Sequence, residues 1–110
     1  MYVVIFRARV AAPDPEYAQA ANTLRQLALE RFGCLEFCAL SDGAEEIALS
    51  YWPDEASITA WKLHAQHVLA QTLGREKWYE SYHVQVAEIR REYRFPGQAE
   101  SGMIQNRMEK

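Results

Sequence analysis

The 110-residue chain is poor in cysteine, glycine and proline, with two, five and four of each. Cys34 and Cys38 share one short extended segment. On a strand their Cα atoms lie ~13 Å apart at ~3.3 Å per residue, and a disulfide needs Cα atoms within ~7 Å. Two buried free thiols in a reducing compartment are expected instead. No further cysteine exists to complete a thiolate metal site, and no metal is expected. Positive charge is also scarce: 12 Lys and Arg stand against 15 Asp and Glu, for a net charge of −3. A nucleic-acid surface needs a basic stripe and an anionic membrane surface needs a cluster of cations, so neither partner is expected. No apolar run approaches the ~20 residues that span a bilayer. The apolar opening Met1 to Phe6 is cut short by Arg7 and Arg9 and has no charged leader, which points to a cytoplasmic protein. A glycine-rich phosphate loop is missing as well, so a nucleotide cofactor has no visible anchor.

What is present is ordinary globular composition, 49% hydrophobic and 25% charged, enough for one domain. Residues 2–10 alternate as a strand, with Tyr2, Val4, Phe6, Ala8 and Val10 on one face and Val3, Ile5, Arg7 and Arg9 on the other. Asp14 and Pro15 supply an N-cap and a preorganised first turn. Tyr17, Ala20, Ala21, Leu24, Leu27 and Ala28 then recur at helical spacing until Gly33, giving a helix over about 14–31. Residues 34–41 read as a second strand, Asp42-Gly43 as a hairpin turn and 47–52 as a third strand. Pro53-Asp54 ends it and caps a second helix with Ile58, Trp61, Ala65, Val68 and Leu69 on one face. Gly74 interrupts that helix, 75–81 reads as a further helical turn, and 82–93 as the last strand. Residues 1–95 form the domain, and Pro96 to Lys110 is expected to be a mobile tail. The order β-α-β-β-α-β predicts an α+β, ferredoxin-like fold: a four-stranded antiparallel sheet with both helices on one face.

The face without helices should be polar in a monomer, yet both sides of the strands look apolar: Val3 and Ile5 stand opposite Val4 and Phe6, Leu35 and Phe37 opposite Cys34, Cys38 and Leu40, and Ile47, Leu49 and Tyr51 opposite Ala48 and Trp52. An apolar patch of that size marks an interface, and a symmetric dimer joined sheet to sheet is the simplest occupant. An RNA-binding sheet is the rival use, but it calls for basic residues beside its aromatics.

Ser50-Tyr51-Trp52 closing the third strand, Trp61-Lys62 on the second helix, His64 and His67, and Gly74-Arg75-Glu76-Lys77-Trp78-Tyr79 together resemble the antibiotic biosynthesis monooxygenase domain family over about residues 1–95. The resemblance implies a dimeric α/β barrel of two ferredoxin-like units. It also implies oxygenation of a small molecule without metal or flavin, in a pocket between the second helix and the sheet.

Trp61 sits centrally on the apolar face of that helix, as a core aromatic or as a wall for a flat substrate. His64 follows on the flank of the stripe, where it can look into a pocket; His67 points away from Trp61 if the helix is continuous. A histidine near neutral pKa suits deprotonation of a phenolic or enolic substrate, so Trp61, His64 and His67 form the candidate catalytic set. Arg7 and Arg75 are candidate cations for a phenolate or a developing oxygen anion, each set against a plain surface role. Tyr51, Trp78 and Tyr82 complete the candidate substrate-binding set. The heme-degrading branch of the family pairs an asparagine on the first strand with a tryptophan and a histidine of the second helix. The first strand here has no asparagine, so heme is not favoured. The expectation is a cytoplasmic, homodimeric, cofactor-independent monooxygenase acting on a small quinol-like aromatic with dioxygen. A non-catalytic small-molecule-binding or stress-related protein of the same fold, or a heme-binding monooxygenase, are the alternatives.

Overall fold

The computed structural model describes residues 1–11, 15–71 and 78–96, and for 66–71 the backbone only. The elements are β1 (Tyr2–Val10), α1 (Pro15–Arg31), β2 (Glu36–Asp42), β3 (Glu45–Trp52), α2 (Glu55–Gln71) and β4 (Tyr79–Glu88). This is the expected βαββαβ order. The four strands form one antiparallel sheet in the order β2-β3-β1-β4, so β1 is central and β4 is an edge.

Local chemistry sets the element boundaries. Pro15 opens α1, where its fixed φ suits a first turn; Asp14, the expected cap, lies outside the described residues. At the other end Gly33 adopts a left-handed φ of 82°, and the Cys34 N–H reaches back to the Ala28 carbonyl at 3.0 Å. Gly43 makes the β2–β3 turn at φ 64°, a conformation glycine adopts without the Cβ clash of other residues. Asp54 caps α2: its Oδ1 accepts from the Ser57 N–H at 2.8 Å. The hydrogen bonds from Ser57 also hold the Asp54 carboxyl below the usual range.

Several expected boundaries move, β2 running Glu36–Asp42 rather than 34–41. β3 begins at Glu45 rather than residue 47, because the whole Asp42–Glu45 register pairs across the tight turn. β4 begins at Tyr79 rather than 82 and ends at Glu88 rather than 93. Tyr79 joins the sheet opposite Val10 through a register shift between Arg9 and Val10, so the expected helical turn over 75–81 gives way to strand from residue 79. Gly74 and the tail from residue 97 lie outside the described residues.

Strand alternation divides the sheet into two faces. The core lies on the helix side, where Val4, Ala28, Cys34, Trp52 and Ile58 are buried against one another, with Trp61 and Phe37 packed on them. Trp52 is fully buried, and its indole N–H is satisfied by Ser50 Oγ at 2.8 Å. The other face presents Val3, Ile5, Ile47, Leu49, Cys38 and Leu40 in registered rows. Leu40 is 79% exposed and Ile47 45%. Of the two cysteines, both free, only Cys34 is buried. Cys38 is exposed because its register opposite Leu49 puts it on the uncovered face, which corrects the expectation of two buried thiols.

Candidate active site

Between the helices and the sheet lies a cavity of about 540 Å³. Its origin can be read from side-chain size. Ala39 and Ala48 on the sheet face Ala18, Ala21 and Ala65 on the helices, and methyl groups cannot fill the space between a helix and a sheet packed at ordinary separation. Aromatic and branched residues close the ends and walls.

Trp61 is the principal wall. Its indole N–H donates to the Leu24 carbonyl at 3.2 Å, tying α2 to α1. Its ring lies 5.5 Å from that of Trp52 and 6.2 Å from that of Phe37. With one face pinned, the ring offers a fixed platform for a flat ligand. Trp78 and Tyr82 line the same cavity. Trp78 is buried, and its indole nitrogen has no hydrogen-bond partner among the described residues. Tyr82 stacks near Phe6 at 6.0 Å. Trp61, Trp78 and Tyr82 therefore line one cavity.

The other candidates fall elsewhere. His64 does not line the cavity; its ring lies against Phe32 at 5.3 Å, because three helical residues beyond Trp61 the side chain has turned off the cavity stripe. His67 sits on the backbone of α2, and its side chain, like the whole of Arg75, lies outside the described residues. Arg7 and Tyr51 project from the uncovered face, since the residues lining the cavity from β1 and β3 are the even-numbered ones. Arg7 donates to His83 Nδ1 at 3.2 Å, which requires the imidazole to keep that nitrogen unprotonated. Arg9, on the same face, pairs with Glu45 and with Glu80.

Sequence reading passed over the polar end of the cavity. Glu46 faces inward from β3, and its carboxylate accepts a hydrogen bond from the Tyr17 hydroxyl of α1. Tyr79, entering β4, donates to Tyr17 at 3.3 Å. Burial first, and then the Glu46 hydrogen bond, raise the Tyr17 pKa far above the ordinary tyrosine value. Burial likewise raises that of Tyr79. Both remain hydroxyls through the neutral range. The one sequence signal for this cluster is parity: Glu46 shares a face with Ala48, Ser50 and Trp52 once β3 is extended back to residue 45.

Among the described residues no group of three or more His, Cys, Asp or Glu is placed to hold a metal ion. The helix-facing side of β1 is Tyr2, Val4, Phe6, Ala8 and Val10, without the asparagine of the heme-degrading arrangement, and of the described histidines His83 lines the cavity and His64 does not. No helix among the described residues is long and apolar enough to cross a membrane.

Comparison with known proteins gives no match to any family model. Over 96 residues the chain is 36% identical to the uncharacterized protein YqjZ of Bacillus subtilis, covering 86% of this chain and 83% of that protein. It is 33% identical over 96 residues to the Jasmonate monooxygenase ABM of Pyricularia oryzae, covering 81% of this chain but 43% of that longer protein. In fold it is similar to SnoaB, a cofactor-independent oxygenase from Streptomyces nogalater, with a TM-score of 0.67 and 12% identity over 83% of this chain and 94% of that one. A solved antibiotic biosynthesis monooxygenase aligns with a TM-score of 0.56 and 17% identity over 81% of this chain and 98% of the other.

Proposed function

The chain belongs to the antibiotic biosynthesis monooxygenase family, and from that premise we propose that it is a cofactor-independent monooxygenase of a small, flat, hydroxylated aromatic such as a quinol. The observation that carries this reading is the cavity itself: about 540 Å³, walled by a pinned indole and polar at one end. A quinol-type substrate supplies both electrons. One atom of dioxygen enters the ring system and the other leaves as water, with the hydroxyl hydrogens passing to it. The protein then has to hold the ring, exclude competing orientations and manage protons and charge. In this reading Trp61, Trp78 and Tyr82 grip the ring within the domain of residues 1–95. His67 and Arg75 remain candidates for proton and charge management. The monooxygenase named after jasmonate among the relatives supports an oxygenase over a binding-only protein.

We place a second copy of the chain, in the cytoplasm, against the uncovered apolar face. Leu40, Ile47, Leu49 and Ile5 are arranged there to be buried by it.

Oxygen consumption by the pure protein with a panel of quinols tests the activity. Uptake above the spontaneous rate is expected, falling at least tenfold in Trp61→Ala as the platform is lost (~1.4 kcal/mol per factor of ten). Thermal stabilisation by the same compounds with no uptake in wild type would leave a ligand-binding protein and overturn the enzyme.

A further inference from the structure

Tyr79, Tyr17 and Glu46 make a directed hydrogen-bonded chain at the end of the cavity. Three separate elements supply it: β4, α1 and β3. Its direction is dictated by proton count. A carboxylate only accepts, and each hydroxyl has one hydrogen. Tyr17 spends its hydrogen on Glu46, and Tyr79 spends its own on Tyr17. Tyr79 lines the cavity, and with its hydrogen given to Tyr17 its oxygen has lone pairs alone left to offer a further partner. The Tyr79 ring is packed among those of Phe6, Tyr82 and Tyr17, whose centroids lie 5.6, 5.7 and 5.6 Å from its own. Turning the Tyr79 hydrogen toward a ligand means giving up its bond to Tyr17.

We propose that this chain makes the cavity selective for ligands that present a hydroxyl hydrogen at the Tyr79 end, against ethers and carbonyls of the same shape. The inference rests on the reading of the cavity as a site for hydroxylated aromatics, and it adds which functional group is read and by which residues. A phenol or quinol hydroxyl donating to Tyr79 extends the chain to three bonds ending on a carboxylate, each polarising the next. An ether or quinone oxygen in the same place sets lone pairs against lone pairs in an apolar enclosure, where an unpaired polar group is costly. Tyr79 is the contacting residue; Tyr17 and Glu46 are positioning residues that fix which way its hydrogen points. Oxidation of a quinol hydroxyl to a carbonyl removes the hydrogen that was being read, so the group that retains the substrate releases the product.

Calorimetric titration under argon with alpha-naphthol and with its methyl ether tests this. Wild type is expected to bind the naphthol roughly tenfold more tightly. Tyr79→Phe should bring the two affinities within about twofold, by weakening the naphthol and relieving the ether, and retained binding of the ether reports an intact cavity. Glu46→Gln should shrink the preference as well, because an amide can donate to Tyr17 and lets the chain reverse. Equal affinities in wild type, or a preference that survives Tyr79→Phe, would overturn the selectivity while the aromatic cavity stands. Binding of neither compound would overturn the aromatic cavity and the selectivity together.

Discussion

The two faces of the sheet come from the same four strands and differ by one residue of parity. On the helix side the central positions are small, Ala39 and Ala48, and the periphery is aromatic, so the layer encloses a hollow. On the other side the central positions are branched and large, Ile5, Ile47 and Leu49, and the layer is solid up to its surface. Charge is arranged differently too. The helix side holds Glu46 in an aromatic hydrogen-bonded setting, whereas the uncovered face gathers Arg9, Glu45 and Glu80 at one end as exposed ion pairs. Exposed pairs of that kind contribute about 0–1 kcal/mol, so they add little to the stability of the single chain. Cohesion within the chain thus belongs to the helix side, and the proposed contact between chains to the other.

The strongest test of that division compares one truncation on each face. Trp52→Ala removes a fully buried indole from the helix-side core and should cost about 3–5 kcal/mol in urea unfolding. Leu40→Ala should leave the single chain within about 0.5 kcal/mol of wild type. Comparable losses at both positions would break the comparison. A somewhat smaller effect is expected between chains. Ile47→Asp puts a charge on the uncovered face, and sedimentation should show the dimer's affinity weakened by about a hundredfold, near 2.7 kcal/mol, with the cavity still able to bind a naphthol. A wild-type chain that sediments as a monomer would remove the role given to that face.

The smallest effect comes from pH. Tyr17 and Tyr79 titrate above the ordinary tyrosine value in the folded chain, so folding favours their protonated forms. That contribution is whole below the unfolded value of about 10 and fades as pH climbs toward the raised folded values. The urea midpoint should therefore decline above about pH 10, and decline less in Tyr17→Phe. A midpoint that declines equally in both would deny the helix side its protonated hydroxyls.

The element order was legible because period-two and helical patterns switch cleanly along the chain, and both glycine turns and the Asp54 cap announce themselves. Trp61 was legible as a member of the apolar stripe of its helix, with core and wall equally open. Other features depend on offsets that a pattern does not carry. The register shift beside Val10 brings Tyr79 into the sheet, and no alternation in the sequence marks it. The carboxylate chain joins residues 29 and 62 positions apart, a distance at which spacing carries no information. Arg7 drew attention as a cation in an apolar strand, but its parity with Ile5 rather than Phe6 already placed it on the far side of the sheet from the helices. His64 shows the same lesson on a helix, where three residues of rotation separate a wall from a neighbour of Phe32.

Tyr82, Val84 and Val86 line the cavity and yet are 46%, 42% and 47% exposed, because β4 has no strand beyond it. The enclosure is consequently a trough with one low bank. Under the proposed function, a ring system lying flat on Trp61 with its hydroxyl toward Tyr79 would let a sugar, chain or further ring hang out over β4. Admission would then be governed by the part of the molecule that enters, and compounds of very different overall size would share one head.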